Sequence, residues 1–155
     1  MLQEYNVVIA DTTCFILLSK INRLSLLQQL FKSITTTNII AKEFGKPLPD
    51  WVIIEEIKDT HYLDILKLEV DEGEASAITL SYEFDKSLLI LDDLKARKVA
   101  KKLNLNFTGT LGIILKAKEV GLLNAIKPIF EEIQLTNFRL SDEIFYKILL
   151  ISKEE

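Results

Sequence analysis

Asn6-Val7-Val8-Ile9-Ala10-Asp11-Thr12-Thr13 decides the architecture. Val7 to Ala10 is an uninterrupted apolar run rich in β-branched residues, as expected of a strand covered on both faces. Asp11, Thr12 and Thr13 then supply capping oxygens for a helix that continues through Phe15, Leu17 and Leu18. A buried strand passing directly into a helix opens a layered α/β structure whose sheet is mostly parallel.

The same alternation continues outward. A helix is expected over Leu24 to Phe31, with Leu24, Leu27, Leu30 and Phe31 on one side. Ser33 to Thr37 reads as a second strand. Asn38 to Phe44 reads as a helix that Gly45, Pro47 and Pro49 bring to an end. Trp51 to Ile57 is either a short strand or a connecting turn. Glu72-Gly73-Glu74 leads into a helix over Ala75 to Phe84, and Ser87 to Leu91 is another apolar strand. Asp92-Asp93 opens a helix running to about Leu103, with Leu94, Val99 and Leu103 on its buried side. Leu105 to Phe107 reads as a strand, Gly109 opens a further helix, and two more follow from Leu122, with Pro128 in the first. The expected fold is a three-layer α/β/α domain with a central, mostly parallel sheet, occupying residues 1–155 as a single unit.

Composition narrows the function. The 155 residues are 48% apolar, enough for a full core without staples. One cysteine, Cys14, excludes a disulfide framework within the chain and fits a reducing compartment. No apolar stretch approaches the roughly 18 residues of a membrane span. Met1 to Asp11 lacks the basic start and long apolar run of a signal peptide and reads as the opening of the first strand, so a cytoplasmic location is expected. The net charge of −4 counts against a nucleic-acid binder, but binding uses one face, and carboxylates gathered in a cleft lower the pI by themselves.

In an open parallel sheet, residues just beyond the carboxyl ends of the strands face a common crevice. Asp11 and the Asp92-Asp93 pair occupy such positions, Glu43 lies on the helix after the second strand, and Glu74 is in the first turn of its helix. Crowded carboxylates repel one another and are costly to desolvate. A hard cation such as Mg²⁺ or Mn²⁺ relieves both penalties. It also polarises phosphoryl oxygens and acidifies water, so phosphodiester hydrolysis needs no histidine. The only histidine, His61, sits in a polar stretch and reads as a surface residue. The competing reading is that an aspartate after a strand is an ordinary helix cap or turn former.

Four pieces in order, Val8-Ile9-Ala10-Asp11-Thr12-Thr13, Ile40-Ala41-Lys42-Glu43-Phe44, Gly73-Glu74-Ala75-Ser76-Ala77-Ile78, and Leu91-Asp92-Asp93-Leu94-Lys95-Ala96-Arg97 followed by Phe107-Thr108-Gly109-Thr110-Leu111-Gly112, resemble the PIN-domain superfamily. The likeness is to its compact prokaryotic branch, DUF3368, which is related to VapC-type toxins. The resemblance covers nearly the whole chain. It departs from that branch at Cys14, where proline is common. The resemblance implies a metal-dependent endoribonuclease cutting single-stranded RNA, with Asp11, Glu43, Glu74 and Asp92 as the catalytic acids and Mg²⁺ or Mn²⁺ as cofactor. Asp11, Asp92, Asp93 and Glu74 are the candidate metal ligands. Of the adjacent pair, Asp92 is favoured as the direct ligand, with Asp93 behind it or capping the helix. Thr13 is a candidate support for a ligand carboxylate or a water. The resemblance further implies a homodimer, a small antitoxin that blocks the acidic pocket, and a toxin's role. A PIN-fold module that binds RNA or protein without cutting is the alternative.

The helix after Asp93 carries Lys95, Lys98 and Lys102 at helical spacing, either as a solvated face or as a contact for an RNA backbone. Arg97 is the stronger candidate, to brace a carboxylate or grip a phosphate. Gly109-Thr110-Leu111-Gly112 lacks the Gly-Lys-Ser/Thr ending of a phosphate loop and reads as a tight turn into a helix. Cys14 reads as a small apolar filler. Trp51 is expected to pack on the domain or a partner, with base stacking as the other possibility. A haloacid-dehalogenase-type phosphatase would need an aspartate where Thr13 stands. The leucine-rich stretch Phe145 to Ile151 suits either the core or a dimer face.

Overall fold

In the computed structural model, residues 5–136, 142–151, 153 and 154 are described, without the side chains of residues 142–146. Met1 to Glu4, part of the expected opening of the first strand, therefore lie outside the described residues. Five strands form one sheet: β1 (Val7–Ala10), β2 (Ile34–Thr37), β3 (Val52–Glu55), β4 (Ser87–Ile90) and β5 (Asn106–Thr108). Every pairing is parallel, in the order β3-β2-β1-β4-β5. The described helices are α1 (Thr12–Lys20), α2 (Ser25–Phe31), α3 (Asn38–Phe44), α4 (Thr60–Leu66), α5 (Glu72–Tyr82), α6 (Leu94–Lys102), α7 (Thr110–Glu119), α8 (Lys127–Gln134) and α9 (Asp142–Ile151). The fold is α/β/α, and the ambiguous Trp51–Ile57 segment contributes the edge strand β3.

Parallel strands need helical crossovers, which cover both faces of the sheet and bury the central strands. Ile9 and Ala10 in β1, and Leu89 and Ile90 in β4, are wholly buried. β2 is buried too, although it reads Ile-Thr-Thr-Thr. Two of its hydroxyls find partners: Thr36 donates to the Ala10 carbonyl at 2.9 Å, and Thr37 shares a 2.7 Å hydrogen bond with Ser76 of α5. The first of these bonds fixes the end of β1 just before Asp11. Chain order reverses between β1 and β4, with β2 and β3 built out on one side and β5 on the other. In open parallel sheets the carboxyl ends of the strands at such a reversal are where ligands bind.

Several sequence expectations need correction. Leu94 does not face the core; it is 73% exposed. The buried side of α6 is Ala96, Val99 and Ala100, and Leu94 precedes Ala96 by two residues, which at about 100° per residue places it on the far side of the helix. Asp11 stands at the N-cap position of α1 but makes no side-chain capping bond. The stretch around His61, for which no element was expected, folds as α4, capped by Asp59, whose side chain accepts from the Tyr62 N–H at 3.0 Å. His61 itself is exposed, and Trp51 packs against the core. In α9, Ile148 and Leu149 are buried while Leu150 and Ile151 are exposed.

Candidate active site

The crevice is built from the ends of β1, β4 and β5 and the first turns of the helices beyond them. Val7 to Ala10 pair in register with Ser87 to Ile90, so Asp11 and Asp92 leave neighbouring strands at the same edge. The Asp11 N–H donates to the Ile90 carbonyl at 3.2 Å, and the Leu91 N–H to the Thr108 carbonyl at 2.8 Å. These bonds carry the sheet one residue further and hold the acids at its rim.

Asp11 is 4% exposed, and its Oδ1 is buried with no hydrogen-bond partner among the described residues. Burial raises its carboxyl from 3.8 to about 7; the Thr12 backbone N–H opposes the shift, and the charges of Asp71, Glu43 and Asp92 add to it. An ordinary helix cap accepts from the second or third N–H of its own helix, and Asp11 makes no such capping bond. Among the described residues no cation pairs with this buried carboxyl.

Glu74 is half-buried on α5. Burial is the first cause lifting its carboxyl to about 7, with the charges of Asp71, Asp93 and Asp11 contributing and the Asp71 backbone N–H working against them. Asp71 and Glu74 form a capping box: Asp71 Oδ1 accepts from the Glu74 N–H at 2.8 Å, and Glu74 Oε1 from the Asp71 N–H at 3.2 Å. Asp71 is thus an acid of this cluster that the motif reading passed over. Its signal was available, since an acid three residues before another at the head of an apolar run is a helix-start signature.

Glu43 and Asp92 are held differently. Thr12 Oγ1 donates to Glu43 Oε1 at 2.6 Å, linking α1 to α3. Asp92 accepts two bonds from Thr110, at 2.8 Å from its N–H to Oδ1 and 2.6 Å from its hydroxyl to Oδ2. Asp93 is exposed and caps α6, with Oδ2 accepting from the Ala96 N–H at 3.0 Å. The two adjacent aspartates therefore diverge, Asp92 toward α7 and Asp93 onto its own helix. Thr13, the expected support, makes no side-chain hydrogen bond among the described residues; its neighbour Thr12 makes the bond to a carboxylate.

Arg97 Cζ lies 5.1 Å from the centroid of the Phe107 ring. Its Nε is buried without a partner, and among the described residues it forms no salt bridge. A Cβ placed on Gly109 would lie 2.9 Å from Asp92 Oδ1 and 3.8 Å from an Arg97 terminal nitrogen, so the guanidinium adjoins this carboxylate. Lys95, Lys98 and Lys102 are exposed on another flank of α6. Cys14 is fully buried; burial pushes its thiol up and the Asp92 charge pushes it further, which keeps it protonated and inert.

All the donors are hard oxygens, and the buried, unpartnered oxygen of Asp11 is the kind of group a hard cation satisfies. Among the described residues, no three His, Cys, Asp or Glu side chains converge into a ready ligand set. Mg²⁺ does not require one, because it keeps several waters and takes one or two carboxylates. The residues fit a divalent cation anchored on Asp11.

No described helix is long and apolar enough to cross a membrane. Neither a curated protein nor a solved structure matches the chain. The family signature of DUF3368, described as a PIN domain, matches residues 7–154. With acids at the switch point of a parallel sheet and a signature running nearly end to end, the chain belongs to this family of PIN domains, which are generally nucleases and typically use divalent metals.

Proposed function

We propose that the chain is an endoribonuclease that hydrolyses RNA phosphodiester bonds with Mg²⁺ or Mn²⁺, using Asp11, Glu43, Glu74 and Asp92. The observation that carries this reading is Asp11: a buried carboxyl with one oxygen that has no partner among the described residues, within reach of the charges of Asp71, Glu43 and Asp92, at the sheet edge where open α/β sheets bind ligands. Asp11 would hold the cation, with Asp92 and Glu74 completing its surroundings directly or through water. When bound, the cation supplies Lewis acidity at the phosphoryl oxygen and acidifies a water.

The remaining work belongs to the chain. Arg97, stacked on Phe107 and without a salt bridge among the described residues, would receive a phosphate beside Asp92. Lys95, Lys98 and Lys102 offset the field of the acids for an approaching RNA backbone. A toxin's role, a homodimer, a small antitoxin covering the pocket and a cytoplasmic location follow from the resemblance to VapC-type proteins.

The test is incubation of purified protein with structured and single-stranded RNAs, in Mn²⁺ or in chelator, beside Asp11→Asn and Asp92→Asn. Cation-dependent cutting by the wild type alone is expected. Equal cutting by all three proteins would sink the assignment. A second reading, a PIN-fold module that binds without cutting, draws on two observations: both Asp92 oxygens are engaged by Thr110, and no three-acid ligand set is formed among the described residues. It predicts neither cleavage nor thermal stabilisation by cation.

A further inference from the structure

We infer that Thr12 with Gly73, and Thr110 with Gly109, are matched positioning devices that fix the carboxylates of Glu43 and Asp92 before substrate arrives; the inference rests on the nuclease reading above. Thr12 and Thr110 are each the first residue of a helix that begins at the end of a strand, and both are buried. In neither helix does the preceding residue, Asp11 or Gly109, make a side-chain capping bond. The hydroxyls are directed elsewhere, Thr12 to Glu43 on α3 and Thr110 to Asp92 at the end of β4, both at 2.6 Å.

Each held carboxylate also rests against a glycine. A Cβ on Gly73 would lie 3.0 Å from both Glu43 carboxylate oxygens, and a Cβ on Gly109 would lie 2.9 Å from Asp92 Oδ1. Neither glycine is required by its backbone. Gly73 lies inside α5, and Gly109 has φ −107° and ψ 173°, extended values open to any residue. What an added methyl would meet in both places is the carboxylate. A hydroxyl on one side and a bare Cα on the other narrow the positions open to each acid, Asp92 more than the exposed Glu43. Pre-orientation of this kind matters for chemistry because small displacements of acidic groups are costly at a phosphoryl-transfer site.

Thr110→Val keeps side-chain bulk and the backbone N–H while deleting one hydroxyl, and Thr110→Ser restores it; Thr12→Val and Thr12→Ser form the second pair. Two readouts are needed: kcat and KM for RNA cleavage, and Mn²⁺ affinity measured on the protein without RNA. Each valine variant is expected to lower kcat about 10–100-fold with KM little changed and to weaken Mn²⁺ binding, and each serine variant to recover both. Should a valine variant fail to fold, Gly109→Ala and Gly73→Ala displace the same carboxylates from backbones that accept alanine, with the same losses expected. Valine and alanine variants that melt lower but cut and bind Mn²⁺ like the wild type would reduce these residues to structural parts and overturn the inference alone. A wild type that neither cuts RNA nor binds Mn²⁺ would remove the nuclease reading and the inference with it.

Discussion

Asp11 and Asp92 leave adjacent strands of the same sheet, yet the fold treats them in opposite ways. Asp92 has both oxygens engaged by one threonine. Asp11 is more deeply buried, with an oxygen that bonds nothing among the described residues. The crevice therefore combines a carboxylate fixed in place with one whose electrostatic demand is unmet. Preorganisation and stored repulsion are separate properties here, placed on separate residues.

The sharpest way to break the contrast is through pH. A folded-state carboxyl raised from 3.8 to about 7 holds its proton where the unfolded chain has released it. Stability contributed by that proton is fully present below about pH 4 and is lost as pH rises through 7. At about 1.4 kcal/mol for each pH unit, the window corresponds to an upper limit of roughly 4 kcal/mol. Chelator-treated wild type should therefore lose stability to denaturant between pH 4 and 8, with Glu74 reinforcing the trend. Asp11→Asn should flatten the profile, and saturating Mn²⁺ should flatten it in the wild type by replacing the proton. A profile that is already flat in chelator would mean Asp11 is not the strained acid described.

Smaller steric changes can sharpen the comparison. Gly109→Ala presses on Asp92, which is tied by two hydrogen bonds and cannot swing away without breaking them. Overpacking of that kind costs about 1–3 kcal/mol. Gly73→Ala presses on the far end of Glu43, a longer side chain held by one bond, and gains about 1 kcal/mol of helix propensity. Urea denaturation should show Gly109→Ala destabilised and Gly73→Ala near neutral. The reverse order would show that Glu43 is the more rigidly held acid.

Much of this site was readable from sequence, and what was not has a physical reason. Val7–Ala10 and Ser87–Ile90 announce themselves because strands buried on both faces must be apolar throughout, and the acids at their ends follow from position. A mostly parallel sheet was expected and every pairing is parallel, and the Asn38–Phe44 helix forms as expected, closed by Gly45 at φ 76°. α4 was missed because only Leu63 and Leu66 are buried in it, too few to give a period. Thr12 looked like a helix-start hydroxyl and Thr110 like part of a tight turn, because their targets are 31 and 18 residues away. Gly73 looked like part of a motif, and only coordinates reveal that a carboxylate lies where its side chain would be. Local chemistry is written locally; the pairing of one carboxylate with one hydroxyl is a property of the assembled fold.

A carboxylate far from the crevice shows what Asp11 would become with partners. Glu154 accepts from the Ile126 and Lys127 N–H groups at the start of α8 and from the Lys118 ammonium. Burial alone would raise its carboxyl, but the Lys118 hydrogen bond, the two backbone donors and the lysine charge bring it down to about 2. The sign is opposite to that of Asp11: the contribution is present above the ordinary glutamate value of 4.5 and disappears as pH falls through about 2. Glu154→Gln keeps one acceptor oxygen and loses the charge. It should cost about 1 kcal/mol at pH 7, the scale of a lost helix cap, and nothing near pH 2. Paired urea curves at the two pH values test this, and an equal penalty at both would assign the role of Glu154 to shape rather than charge.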